Sequence, residues 1–205
     1  MNLLVVSGSQ RIGSQSAKVA EFISDKSTGY SQVNHIELCL HQLPFWDGEK
    51  VTKQEKGSDW PIIERKIRSA DSIVLITPEW GGMASPLLKN FLLMCEQKYT
   101  AHKPVLLVSV VSGINGAYPI AELRMNALKN NKLVAVPDHL IIRNVETVLN
   151  KGDDSESLEM RDISLRQRIE YSLHMLFQYA TVLNGLRIQQ KIRPYPNQEE
   201  YSYAM

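Results

Sequence analysis

Leu3 to Ser16 reads L-L-V-V-S-G-S-Q-R-I-G-S-Q-S. Leu3 to Val6 is an apolar run of the kind that forms a strand buried on both faces of a parallel sheet. It stops at a loop of Gly, Ser and a single Arg. Ser14 and Ser16 are each suited to cap a helix running from about Gln15 to Ser24. A strand–loop–helix unit aims backbone N–H groups and the positive end of a helix at one spot, where phosphate is the natural occupant. Ser7, Ser9, Ser14 and Ser16 add hydroxyls, and Arg11 adds a fixed charge with a planar fork of donors. These residues alone fit either a phosphate site or a Ser-rich start to a helix.

The loop is not that of a nucleoside triphosphatase. Gly8 and Gly13 have the spacing of G-x-x-x-x-G-K-[ST], but Ser14 stands where the Lys must be. Ser9 and Gln10 also break the G-x-G-x-x-G spacing of dinucleotide sites. What remains suits a terminal phosphomonoester, as in a mononucleotide.

The whole chain narrows the classes further. Its 205 residues suit one domain with a full core. A net charge of +1 gives no basic field for nucleic acid and no acidic field for a cationic partner. Cys39 and Cys95 lack C-x-x-C spacing and read as reduced, buried thiols. No apolar stretch is long enough to span a membrane, and the start of the chain lacks a signal-peptide pattern. The expected compartment is therefore the cytoplasm. The five His residues show neither ligand nor triad spacing. Asp153 and Asp154 suit the start of a helix better than a metal loop.

Further strands are predicted at Val33–Leu38, Ser72–Thr77, Pro104–Val111 and, interrupted by Pro137, from Leu133 to Ile142. Pro104–Val111 is the most hydrophobic and is expected at the centre. Helices are predicted from Asp59, as N-cap, to about Ala70, from Pro86 to about Tyr99, and from Tyr118 to Asn130. In the first of these, Ile62, Ile63, Ile67 and Ala70 are read as inward. The Pro86 helix carries a second apolar face, Leu87, Phe91 and Met94, suited to a partner subunit. Asn150–Ser157 reads as a polar linker. A stripe of Leu165, Ile169, Leu173, Leu176, Ala180 and Leu183 marks a long last helix, ended by Gly185. Residues 1–184 are thus one domain and 185–205 a C-terminal tail. Strands alternating with helices give an α/β fold, a doubly wound five-stranded parallel sheet with helices on both faces. Ligands of such sheets lie beyond the carboxyl ends of the strands. Three loops there carry unusual chemistry: Gly8–Ser16, Thr77–Gly82 and Ser112–Gly116.

With these loops the chain resembles the NAD(P)H-dependent FMN reductase family of flavodoxin-like flavoproteins. That family's G-S-x-R-x-x-S is matched by Gly8 to Ser14. Its P-E-Y-N-G, followed by a small residue, Pro and L-K-N, is matched by Pro78-Glu79-Trp80-Gly81-Gly82 and then Ser85-Pro86-Leu87-Leu88-Lys89-Asn90. Leu43–Asp47 is similar to its L-P-x-[WYF]-D segment, and the likeness runs over about Met1 to Val136. The resemblance implies a noncovalent FMN. Ser9, Arg11, Ser14 and Ser16 would hold its phosphate. Pro78, Glu79, Trp80, Gly81 and Gly82 would line the ring, and Ser112, Gly113 and Gly116 its other edge. Trp80 replaces the usual Tyr, Gly81 the usual Asn, and Ser16 a usual Asn. Gly81 removes bulk there and permits backbone angles closed to Asn.

The resemblance also implies the reaction: hydride passes from NAD(P)H by way of FMN to a quinone, flavin, azo compound or similar small acceptor, in a homodimer or homotetramer. No side-chain acid or base is expected to be catalytic, and no metal is expected. A flavodoxin-like FMN-binding electron carrier without NAD(P)H turnover is the alternative. Such carriers are strongly acidic for docking, and this chain is near neutral. A nucleotide sensor without redox chemistry is a third reading. The lack of a G-x-S-x-G elbow argues against a serine hydrolase.

Overall fold

The structure, a computed structural model, describes residues 1–150 and 159–201. Asp153, Asp154 and most of the Asn150–Ser157 linker lie outside the described residues. Five parallel strands form one sheet: β1 (Asn2–Ser7), β2 (Gln32–Glu37), β3 (Ser72–Pro78), β4 (Pro104–Val110) and β5 (Val134–Ile142), in the order β2-β1-β3-β4-β5. This is the doubly wound, flavodoxin-like arrangement expected, with its reversal of winding between β1 and β3. β3, not β4, holds the centre, because β1 and β2 together occupy one side. Both β3 and β4 have a neighbour on each edge and are buried along their whole length.

Alternation along β3 builds two cores. Ile73 and Leu75 face a layer formed by α2 (Trp60–Ser69), α3 (Pro86–Met94) and α5 (Ala117–Glu122). Val74 and Ile76 face α1 (Gln15–Lys26) and α6 (Met160–Ile192). Apolar runs in the strands follow from this burial on both faces. In β5, Pro137 cannot donate to the ladder. Val105 pairs with Ala135 and Leu107 with His139, so Val136–Asp138 bulge opposite Leu106. Arg124 fills the bulge, its Nη2 donating to the carbonyls of Val136, Pro137 and Asp138.

Several expectations change. The Pro86 helix stops at Met94 and restarts as a short turn, α4 (Gln97–Thr100). At the break Glu96 is drawn aside by Lys53 (3.3 Å) and Lys98 (2.8 Å). Phe91 and Met94 are fully buried in the chain's own core and Leu87 is half-buried, so this face is not free for a partner subunit. Ile62 points outward; Trp60, Ile63 and Ile67 form the inner stripe of α2. Asp59 does not cap α2 with its side chain. Its carboxylate accepts from the Gln42 N–H at 2.9 Å, and the Ser58 hydroxyl accepts from the Trp60 N–H at 3.2 Å. After Glu122 the chain winds into a π-helical turn, Leu123–Ala127. Gly185 does not end α6, which continues to Ile192. A single Gly lowers helix stability by only about 1 kcal/mol relative to Ala. The stop comes just before Pro194, whose ring disfavours a helical residue ahead of it.

Candidate cofactor site

The loop after β1 begins at Gly8, whose N–H donates to the Ile76 carbonyl at 2.8 Å. A Cβ here would lie 2.7 Å from Leu88 Cβ and 3.1 Å from the Ile76 oxygen, so only glycine lets the loop cross β3 and α3 this closely. The buried Ser9 hydroxyl accepts from the Arg11 N–H at 3.1 Å and folds the loop back on itself. Ser14 is the N-cap of α1, accepting from the Ala17 N–H at 3.1 Å. Of the two capping candidates, Ser16 is therefore inside the helix. Its Oγ is buried and has no hydrogen-bond partner among the described residues. The N–H groups of Ile12, Gly13, Gln15 and Ser16 likewise have no acceptor among the described residues. This is a cradle of open donors at a helix N-terminus, with the exposed Arg11 beside it.

The second loop is joined to the first at several points. Ser85, fully buried, caps α3 by accepting from the Leu88 N–H at 3.1 Å. Its hydroxyl donates to the Gly8 carbonyl in a close contact, and its N–H donates to Thr77 Oγ1 at 2.9 Å. Above this tie the Arg11 guanidinium lies 5.4 Å from the centre of the Trp80 ring. Trp80 and Met83 exchange N–H···O bonds of 3.2 and 3.1 Å across Gly81 (φ +57°) and Gly82 (φ +77°). Two consecutive left-handed residues make this a tight turn of the hairpin type. The Gly81 conformation is not closed to Asn, which visits the left-handed region readily. What Gly81 removes is a side chain.

The third loop adjoins the second. Glu79 N–H donates to the Val110 carbonyl at 3.0 Å. A Cβ on Gly82 would lie 3.7 Å from the ring of Tyr118, which is largely exposed. Glu122 receives the Ala84 N–H at 2.7 Å and Lys89 Nζ at 2.9 Å. Burial raises the Glu122 pKa, but the Ala84 and Lys89 bonds outweigh it and the net shift is downward. Ser112 and Gly113 are exposed, and Arg143 Nε holds the loop by the carbonyls of Ile114 and Asn115. Gly116, at φ +100°, turns inward instead: a Cβ would come 2.4 Å from Ile141 Cγ2. Its first duty is to let the chain pass β5. Cys39 is half-exposed rather than buried, with Sγ 3.5 Å from the Arg11 carbonyl. Among the described residues no group of three or more His, Cys, Asp or Glu could hold a metal, and no helix is long and apolar enough to cross a membrane.

All three loops therefore meet at the carboxyl ends of β1, β3 and β4, beside the reversal of winding. A sequence model of the family described as NADPH-dependent FMN reductase matches residues 1–147, which carry these loops. The chain belongs to that family. It is thus an NAD(P)H-dependent oxidoreductase that works with FMN. The NADPH azoreductase of Bacillus sp. (strain OY1-2) is 26% identical over 159 residues, covering 77% of this chain and 86% of that one. The FMN-dependent NADPH-azoreductase of Staphylococcus aureus is 27% identical over 173 residues, covering 82% and 90%. Among solved structures, the flavoenzyme NAD(P)H:(acceptor) oxidoreductase FerB from Paracoccus denitrificans shares the fold. Its TM-score is 0.66 at 16% identity, over 88% of this chain and 97% of that one.

The open amides, the orphaned Ser16 hydroxyl and the Arg11 charge fit the phosphate of this FMN reductase's cofactor. The sequence places Thr77 in the second loop and Ser85 in the motif after it, but assigns neither a role in the site. Ser85 carried a signal, since a Ser directly before a Pro that opens a helix is a capping position. Its bond to Gly8, 77 residues away, left no trace in the sequence.

Proposed function

We propose that this FMN reductase family member passes reducing equivalents from NAD(P)H to a planar aromatic acceptor, a quinone or an azo compound ahead of free flavin. The observation that carries the reading is the meeting of a phosphate cradle with an aromatic wall, Arg11 against Trp80, at the reversal of winding. Ser9, Arg11, Ser14, Ser16 and the amides around them hold the FMN phosphate. Pro78, Glu79, Trp80, Gly81 and Gly82 line one side of the ring through a turn stiffened by Ser85 and Glu122. Ser112 and Gly113 close the other edge, and Gly116 sets the path of that loop. When bound, FMN supplies the hydride chemistry. The side chains bind, orient and exclude water, and none is needed to move a proton. The azoreductase names of the relatives support an acceptor of this shape.

The working unit is one domain, which α6 carries past Gly185 to Ile192, acting in the cytoplasm as a homodimer or homotetramer. Exposed apolar groups at the carboxyl end of the sheet, Ile12, Phe45, Met83 and Ile114 on loops and Tyr118 at the start of α5, support a subunit contact there. The test is the absorbance of the purified protein before and after anaerobic NADPH. We expect flavin bands that bleach promptly and return when a quinone or an azo dye is added. Flavin bands untouched by NADPH would make the protein an electron carrier. FAD as the sole flavin released would overturn the phosphate assignment.

A further inference from the structure

At the amino ends of β3, β4 and β5, on the far side of the sheet from the three loops, lies a cavity of about 550 Å3. One wall is the last part of α6, the segment beyond Gly185, which brings Arg187 and Lys191 to the sheet edge. The lining contains six Lys and Arg residues and His102 against one carboxylate, Asp71. Some of these charges are committed. Arg187 donates to Asp71 at 2.8 Å, Lys98 pairs with Glu96 at 2.8 Å, and Lys103 donates to the carbonyls of Ile67 and Arg68 at the end of α2. Lys132 donates to the Tyr201 carbonyl at 3.1 Å. Arg68, His102, Lys132 and Lys191 have no carboxylate partner among the described residues.

Like charges gathered in a recess with one acid repel each other and raise its potential. Burial and the neighbouring cations together disfavour the charged forms of two groups in the recess. Burial, then Arg187, and in smaller measure Lys191, push the Lys103 ammonium down to about 8, with Asp71 opposing. Burial, then Lys132 and Arg187, lower His102. A multivalent anion relieves this strain by charge-assisted hydrogen bonds. The volume is in the range of about 300–1,000 Å3 typical of small-molecule pockets. The chain's net charge of +1 gives no overall basic field for a nucleic acid. We propose that this cavity binds a small phosphorylated polyanion, gripped by Arg68, His102, Lys132 and Lys191. The site is separate from the FMN cradle, since it opens at the opposite ends of the same strands.

The probe is inorganic tripolyphosphate, titrated calorimetrically into the full-length protein at low salt. We expect saturable one-to-one binding that weakens at least tenfold in the double variant Lys132→Gln/Lys191→Gln and is kept in Arg11→Ala. Neither Lys is part of the core, and the FMN affinity of the double variant should be unchanged. Amide chemical shifts of Arg68, His102 and Lys191 should move on titration. The proposal fails if tripolyphosphate does not saturate, if the double variant binds it as well as the parent, or if Arg11→Ala abolishes binding. That last result would assign the anion to the loop after β1.

Discussion

Arg11 and Trp80 sit on different loops, and their contact is where cofactor binding and acceptor choice meet. An exposed cation over an aromatic ring contributes about 0.5–1 kcal/mol. A charge-assisted hydrogen bond to phosphate contributes about 1.5–3 kcal/mol. Arg11→Ala is therefore expected to weaken FMN binding about ten- to hundredfold, read by quenching of FMN fluorescence. The fold should persist, because Arg11 is exposed and its guanidinium makes no hydrogen bond within the described residues. An unchanged dissociation constant would place the phosphate elsewhere. Trp80→Ala removes an aromatic contact of about 0.5–1.5 kcal/mol, so KM for a quinone should rise several-fold, while Trp80→Phe recovers most of it. Equal losses with free FMN as acceptor would make Trp80 a packing residue. Since the two side chains touch, the double variant should lose less than the sum of the single ones. Both residues were visible in the sequence as the Arg and the aromatic of two short motifs, but their contact was not.

Ser85 acts at the level of the elements, joining the start of α3 to the end of β1. Ser85→Ala removes the cap of α3 and leaves the Gly8 carbonyl without its hydroxyl donor in a buried place. The expected loss is about 1–3 kcal/mol in urea unfolding, together with weaker FMN binding as both loops loosen. Ser14→Ala, at a half-exposed cap, should cost about 1 kcal/mol. A Ser85 variant as stable as the parent would show that the two loops hold their places independently. Strands and helix starts were readable because apolar runs, Pro and Ser act over a few residues. The break at Cys95 and Glu96 was not, because Lys53, which draws Glu96 aside, lies more than 40 residues earlier in the chain. Nor was the fate of Phe91 and Met94. Periodicity shows that a face is apolar, whereas the number of layers packed on it is a property of the assembled fold.

At the scale of the whole molecule a basic cavity lies at the amino ends of the strands, and Lys103 reports on it. Its folded pKa of about 8 lies below the ordinary 10.5. Between these values the unfolded chain binds more protons than the folded one, so this group's contribution to stability rises with pH. Tyr30, raised by burial to about 12, acts in the opposite sense but only above its ordinary 10. From pH about 8 to about 10, the parent should gain roughly 1–3 kcal/mol relative to Lys103→Met in denaturant unfolding. A difference independent of pH would mean that Lys103 titrates as if exposed. Length, near-neutral charge, four apolar strand runs, one alternating strand and the motifs at Gly8–Ser14 and Pro78–Asn90 were enough to imply the doubly wound sheet and the kind of cofactor it holds. Each of those signals is local, set by which residues follow one another. The tie from Ser85 to Gly8, the close approach of Gly116 to Ile141, the helix running on past Gly185 and the basic cavity it completes came only with the folded chain. They depend on groups far apart in sequence, whose distances are fixed when the two cores close on the sheet.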